Sequence, residues 1–164
     1  VTRIEETVER QPNLPRGWER IVNLTAGINF GRPPGWDLAD DGVLTVIRAP
    51  DELVVLSITI DRTTEAIAAS PRAFVAQTAS LLPGYETPLD FTGPRSFRHH
   101  YQGAVVQATG RADRVRQRVR VIALRRKGVA MITAVVAENA KVGAPREVRQ
   151  ALASLRTLRT QPVS

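Results

Sequence analysis

Period-two alternation dominates the chain. Between Leu53 and Asp61, Val54, Leu56, Ile58 and Ile60 fall on one side, and Val55, Ser57 and Thr59 on the other. That pattern marks a strand with one buried face. Val43 to Ala49 reads as the strand before it, with turns at Asp40-Asp41-Gly42 and Pro50-Asp51-Glu52. Upstream, from Glu19, Ile28 and Phe30 alternate with polar or small residues. Gly31-Arg32-Pro33-Pro34-Gly35-Trp36 then forms a rigid turn ending in an aromatic. Further strands are expected over Ser96 to Tyr101, Ala104 to Ala112, Arg114 to Arg125 and Val129 to Glu138, the last two joined through Arg126-Lys127-Gly128. The final strand is apolar on both faces, which places it in the middle of a sheet.

Helical spacing is seen twice. Ser70-Pro71 supplies an N-cap and a favoured first residue, and Phe74, Thr78 and Leu81 share a face before Pro83-Gly84. A second helix is expected from about Pro145 to Leu155, with Val148, Leu152 and Leu155 as its apolar stripe. The order of elements predicts an α+β fold, a mostly antiparallel sheet of about six or seven strands with helices packed on its faces. Residues 1–18, broken by Pro12, Pro15 and Gly17, are expected as a flexible lead-in or linker, residues 19–160 as one domain, and residues 161–164 as a frayed tail.

Composition agrees with one globular domain: 164 residues, 43% hydrophobic and 24% charged, too apolar for a disordered chain. The absence of cysteine excludes disulfides, thiol nucleophiles and thiolate metal sites. No apolar run approaches the ~20 residues of a membrane span, and no signal peptide is visible.

Charge changes the picture more. There are 23 basic against 16 acidic residues, and only Lys127 and Lys141 are lysines. The arginines are spread from Arg3 to Arg159, as a GC-rich coding sequence would give, but the net charge still favours acidic partners. Arg114, Arg116, Arg118 and Arg120 share one face of their strand, and Val115, Val119 and Val121 point the other way. A ladder of like charges repels itself. Either it pairs with Asp and Glu across neighbouring strands on a solvated face, or it is a strip for acidic lipid headgroups, nucleic acid or an acidic protein. Aromatic residues are only 5% and are not interleaved with the ladder, which speaks against nucleic acid.

Trp36, Tyr85, Phe97 and Tyr101 are expected beside the sheet, either lining a cleft, with Trp36 and Tyr101 able to stack on a sugar ring, or as core and rim packing. His99 and His100 would point to opposite faces of a strand, so they cannot readily chelate one ion, and a structural or solvated role is expected. Asp40 and Asp41 beside Gly42 read as turn formers. Gly-x-Ser-x-Gly, a phosphate-binding Gly-x-x-x-x-Gly-Lys loop and a dinucleotide fingerprint are all missing. No catalytic residue, metal ligand or cofactor is therefore expected. Asn23-Leu24-Thr25 is a glycosylation sequon in form.

Phe30, Pro33, Pro34, Gly35 and Trp36 after an opening strand, a pair of strands, a capped helix, three or four more strands and a closing helix with Ser154-Leu155 together resemble the PsbP/Mog-type α/β/α sandwich family. That family includes mycobacterial LpqN-type lipoproteins. The resemblance runs from Trp18 to Leu158. It implies a non-enzymatic binding domain, exported or tethered at the bacterial cell envelope, with a leader or anchor expected upstream of Val1. A cytosolic protein-interaction adaptor or chaperone, and nucleic-acid binding through the arginine ladder, are the competing expectations. The partner expected is a protein, a sugar or an acidic envelope component.

Overall fold

The computed structural model describes residues 13–82, 85, 87–141 and 145–158. Among the described residues ten strands and three helices follow in order: β1 (Glu19–Asn23), β2 (Ile28–Arg32), β3 (Asp37–Asp40), β4 (Thr45–Arg48), β5 (Val54–Asp61), α1 (Thr64–Ala68), α2 (Pro71–Ala79), β6 (Thr92–Phe97), β7 (Gln102–Ala112), β8 (Val115–Arg126), β9 (Ala130–Asn139), α3 (Arg146–Ser154) and β10 (Arg156–Thr157). They build two sheets, one of seven strands in the order β3-β4-β5-β9-β8-β7-β6 and one of three in the order β1-β2-β10. Every pairing is antiparallel. The doubly apolar strand β9 occupies the centre of the large sheet.

The α+β class with helices layered on the sheet is overturned. The chain is β-rich, and a second sheet, not a helical layer, does most of the covering on one side. The physical reason is length. The nine-residue helices α2 and α3 are about 13 Å long, against about 40 Å for the twelve-residue β8, so neither can roof a face of the sheet.

Two cores result. On one face, Ile21, Ile28 and Phe30 of the small sheet, with Val148, Leu152 and Leu155 at the closing helix, pack against Leu56, Ile58, Ile122, Leu124 and Ile132. On the other, Ala66, Val75 and Ala79 of α1 and α2 meet Ala104, Val106, Val119, Val121 and Met131. Alternation along β8 assigns Val119, Val121 and Ala123 to the helix side and Ile122 and Leu124 to the small-sheet side.

Local chemistry explains the ends. The Ser70 hydroxyl accepts from the Ala73 amide at 3.2 Å, capping α2 as its sequence predicts. Thr63 does the same for the short α1, accepting from Ala66. The strand expected at Ser96 to Tyr101 ends instead at Phe97, and His99 and His100 lie in a bend. Of the expected lead-in, residues 13–18 are described: Leu14 and Trp18 sit so close over Gly31 that a Cβ there would meet Leu14 Cδ2 at 2.5 Å. Residues 1–12 and the expected tail lie outside the described residues.

Candidate anion-binding site

The β7–β8 hairpin positions most of the arginine cluster. Ala112 pairs with Val115, leaving Asp113 and Arg114 as a two-residue turn with φ of 50° and 64°. Paired positive φ values suit the twist of a tight hairpin, but the second position favours glycine. Arg114 therefore stands in the turn, not on the strand, and the ladder proper is Arg116, Arg118 and Arg120.

The inner part of this ladder is paired. Arg118 faces Glu138 directly across β8–β9. The Glu138 carboxylate is fully buried, with Oε1 at 3.2 Å from Arg120 Nη2 and 4.0 Å from Arg118 Nη1. These are charge contacts: among the described residues neither Glu138 oxygen receives a well-directed hydrogen bond. One carboxylate thus serves two guanidinium groups.

The outer part differs. Arg116 faces Arg111 directly across β7–β8, and neither has an ion pair among the described residues. Two clefts meet at this pair. One, of about 380 Å³, is lined by Thr87, Thr109 and Gly110 together with Arg111 and Arg116. The other, of about 470 Å³, adds Arg114, Asn139 and Lys141. The Lys141 amide donates to Asn139 Oδ1 at 3.0 Å, fixing that side chain. No carboxylate lines either cleft among the described residues; the hairpin's own acid is Asp113 in the turn. Arg111 and Lys141 escape a search for charge runs. Counting outward from a turn at Asp113-Arg114 would have paired Arg111 with Arg116.

The four aromatics do not converge on one cleft. Trp36 and Tyr101 are buried, and Phe97 is half-buried, in the core beneath the small sheet, whereas Tyr85 packs in the opposite core. The Tyr85 hydroxyl lies 3.4 Å from Gln117 Oε1, and burial raises its pKa. Trp36 does border an open cleft of about 490 Å³ with Trp18, Pro34, Arg146 and Gln150.

Tyr101 belongs to a structural latch. Its hydroxyl accepts from the Thr157 amide at 3.0 Å, and the Arg156 guanidinium lies 5.9 Å from its ring centroid. Arg126 donates to the Thr157 hydroxyl. His99 Nδ1 accepts from the Tyr101 amide at 2.9 Å, so Nε2 carries the proton and donates to the Leu152 carbonyl at 2.8 Å. Asn23 is likewise structural: buried, it donates through Nδ2 to Asp40 Oδ1 and Thr45 Oγ1 at 2.9 and 3.0 Å.

Among the described residues no group of three or more His, Asp or Glu side chains could hold a metal, and no helix is long and apolar enough to cross a membrane.

The fold is similar to that of a Bacteroides thetaiotaomicron VPI-5482 protein of known crystal structure, with a TM-score of 0.63 and 12% identity over 86% of this chain and 48% of that one. The chain therefore spans about half of that structure's length, and a likeness at this identity concerns the fold alone. A second likeness is to LpqN, involved in cell envelope biogenesis of Mycobacterium tuberculosis, with a TM-score of 0.43 and 11% identity over 92% of this chain and 83% of that one. No protein-family model matches the chain, and no curated protein matches it. The PsbP/Mog-type assignment thus rests on the sequence resemblance.

Proposed function

We propose that this chain is a non-enzymatic binding domain of the bacterial cell envelope that holds an anionic partner at the β7–β8 end of its large sheet. The observation that carries this reading is the direct opposition of Arg111 and Arg116, with Lys141 beside them and no described carboxylate lining the clefts. Like charges directly opposite on a sheet are destabilising, so a counter-ion from outside improves the arrangement. The envelope placement draws on the sequence resemblance, and the non-enzymatic reading on the missing catalytic motifs.

The test has two arms. Fractionation of native cells should recover the protein with the envelope. Purified protein should co-float with vesicles containing phosphatidylglycerol, but not with phosphatidylcholine alone, and lose that binding as salt rises. A purely cytosolic protein that ignores anionic vesicles at low salt would overturn the proposal. Retardation of nucleic acid without vesicle binding would move the partner to nucleic acid.

A further inference from the structure

We infer that Arg111 and Arg116 form a clamp for a phosphate monoester, with the Thr87 and Thr109 hydroxyls on one flank and Asn139 and Lys141 on the other. This rests on the anion-binding reading above and narrows its ligand to one chemical group. Both arginines line both clefts, so the pair stands where the two clefts meet. Each guanidinium is a planar fork of donors that matches two oxygens of a phosphate. A phosphate monoester carries a charge close to −2 at neutral pH and offers its oxygens to several donors at once. Its charge comes close to balancing two guanidinium groups, whereas a carboxylate brings a single negative charge.

The inner ladder limits the site to a single group. Arg118 and Arg120 share the single charge of buried Glu138, so Arg111 and Arg116 are the facing pair left without any carboxylate partner among the described residues. A polynucleotide would need a train of phosphate contacts and stacking faces. Among the described residues no aromatic side chain lines either cleft.

The experiment is a thermal-shift titration at matched ionic strength with inorganic phosphate and with sulfate, repeated on Arg111→Ala, Arg116→Ala and the exposed control Arg20→Ala. Beside it, vesicles of phosphatidic acid and of phosphatidylglycerol are compared at equal surface charge. Phosphate should raise the melting temperature of the wild type and of Arg20→Ala, and sulfate, a dianion of the same tetrahedral shape, should do so comparably. Each clamp variant should lose about tenfold or more in phosphate affinity, as expected for a lost charge-assisted contact. Saturation by inorganic phosphate identifies a soluble phosphate ligand. Preference for phosphatidic acid vesicles without a response to inorganic phosphate identifies a lipid headgroup. Either result supports the clamp, provided Arg111→Ala and Arg116→Ala abolish it. Equal binding of both vesicle types, retained in both variants, overturns the clamp and leaves the anionic-partner reading standing. No binding of any of these anions at low salt overturns both.

Discussion

Glu138 carries a carboxylate into the core, and its two arginine partners are not equally wet. The Arg120 side chain is 15% exposed and that of Arg118 is 32% exposed. Replacing Glu138 by Gln keeps the shape but strands the Arg120 charge. Removing one partner of a buried pair costs about 3–5 kcal/mol. The residual exposure of Arg118 argues for the low end. Glu138→Gln should lower the unfolding free energy by about 3 kcal/mol, read as a fall in the urea midpoint at unchanged slope. A midpoint within error of wild type would mean that water already solvates the pair. Asp41 is the opposite case, an exposed carboxylate. Its Oδ1 accepts from the Leu44 and Val43 amides at 2.7 and 3.0 Å, and these bonds, Leu44 first, hold its pKa below the ordinary 3.8. A carboxyl with a depressed folded pKa stabilises the fold above its unfolded pKa and loses that contribution as pH falls through the folded value. Asp41→Asn should therefore flatten the loss of stability below about pH 4, measured by melts from neutral to acid pH. Identical acid slopes would show that the turn does not sense this group. Asp41 was legible as a turn former because Asp-Asp-Gly has turn chemistry. Glu138 was not, since a carboxylate ending an apolar strand reads as the strand's exit to water.

At the scale of elements, length decided what could be read. Strands β5, β7, β8 and β9, of eight to twelve residues, show their alternation over several periods. The four-residue β3 offers two periods with every residue exposed, and the five-residue α1 little more than one turn, so neither is legible as a pattern. The β7–β8 turn was missed for a different reason. Ala112-Asp113-Arg114-Val115 has no glycine, so Arg114 reads as the start of a strand, although its φ of 64° is a glycine's conformation. That mismatch gives a prediction. Arg114→Gly should stabilise the fold by about 1 kcal/mol, because a non-glycine residue at positive φ costs about that much. The measurement is the shift in chemical denaturation midpoint. A destabilised variant would mean that the Arg114 side chain contributes more through its contacts than the backbone loses through strain.

At the scale of the whole molecule, alternation shows that a segment is a strand and which of its faces is apolar, but not which sheet it joins. The hairpin β1–β2 could have extended the large sheet. It stands over that sheet because contacts distant in sequence hold it there. β10 pairs with β2, joining Arg156 to Asn29, and the Ser154 hydroxyl accepts from the Gly31 amide at 2.8 Å. Tyr101 then ties β10 to the edge of the large sheet through the Thr157 amide. No periodicity signals such pairings. They explain why the sandwich proved to be sheet on sheet. They also separate scaffold from site. β7 begins beside Tyr101 and ends at the Asp113-Arg114 turn, eleven residues and about 35 Å away. Tyr101→Phe leaves the buried Thr157 amide without its acceptor and should cost about 1–3 kcal/mol. Arg116→Ala, which relieves a like-charge pair, should cost nothing or stabilise slightly. Sites this far apart do not share partners, so the double variant should sum the two single effects within about 0.5 kcal/mol. Tyr101→Phe should leave the phosphate-induced rise in melting temperature unchanged, while Arg116→Ala removes it. Should Tyr101→Phe abolish the phosphate response in a protein that still unfolds cooperatively, the latch and the hairpin tip would be one coupled unit, and the anion would be read by the whole sheet instead of by its end.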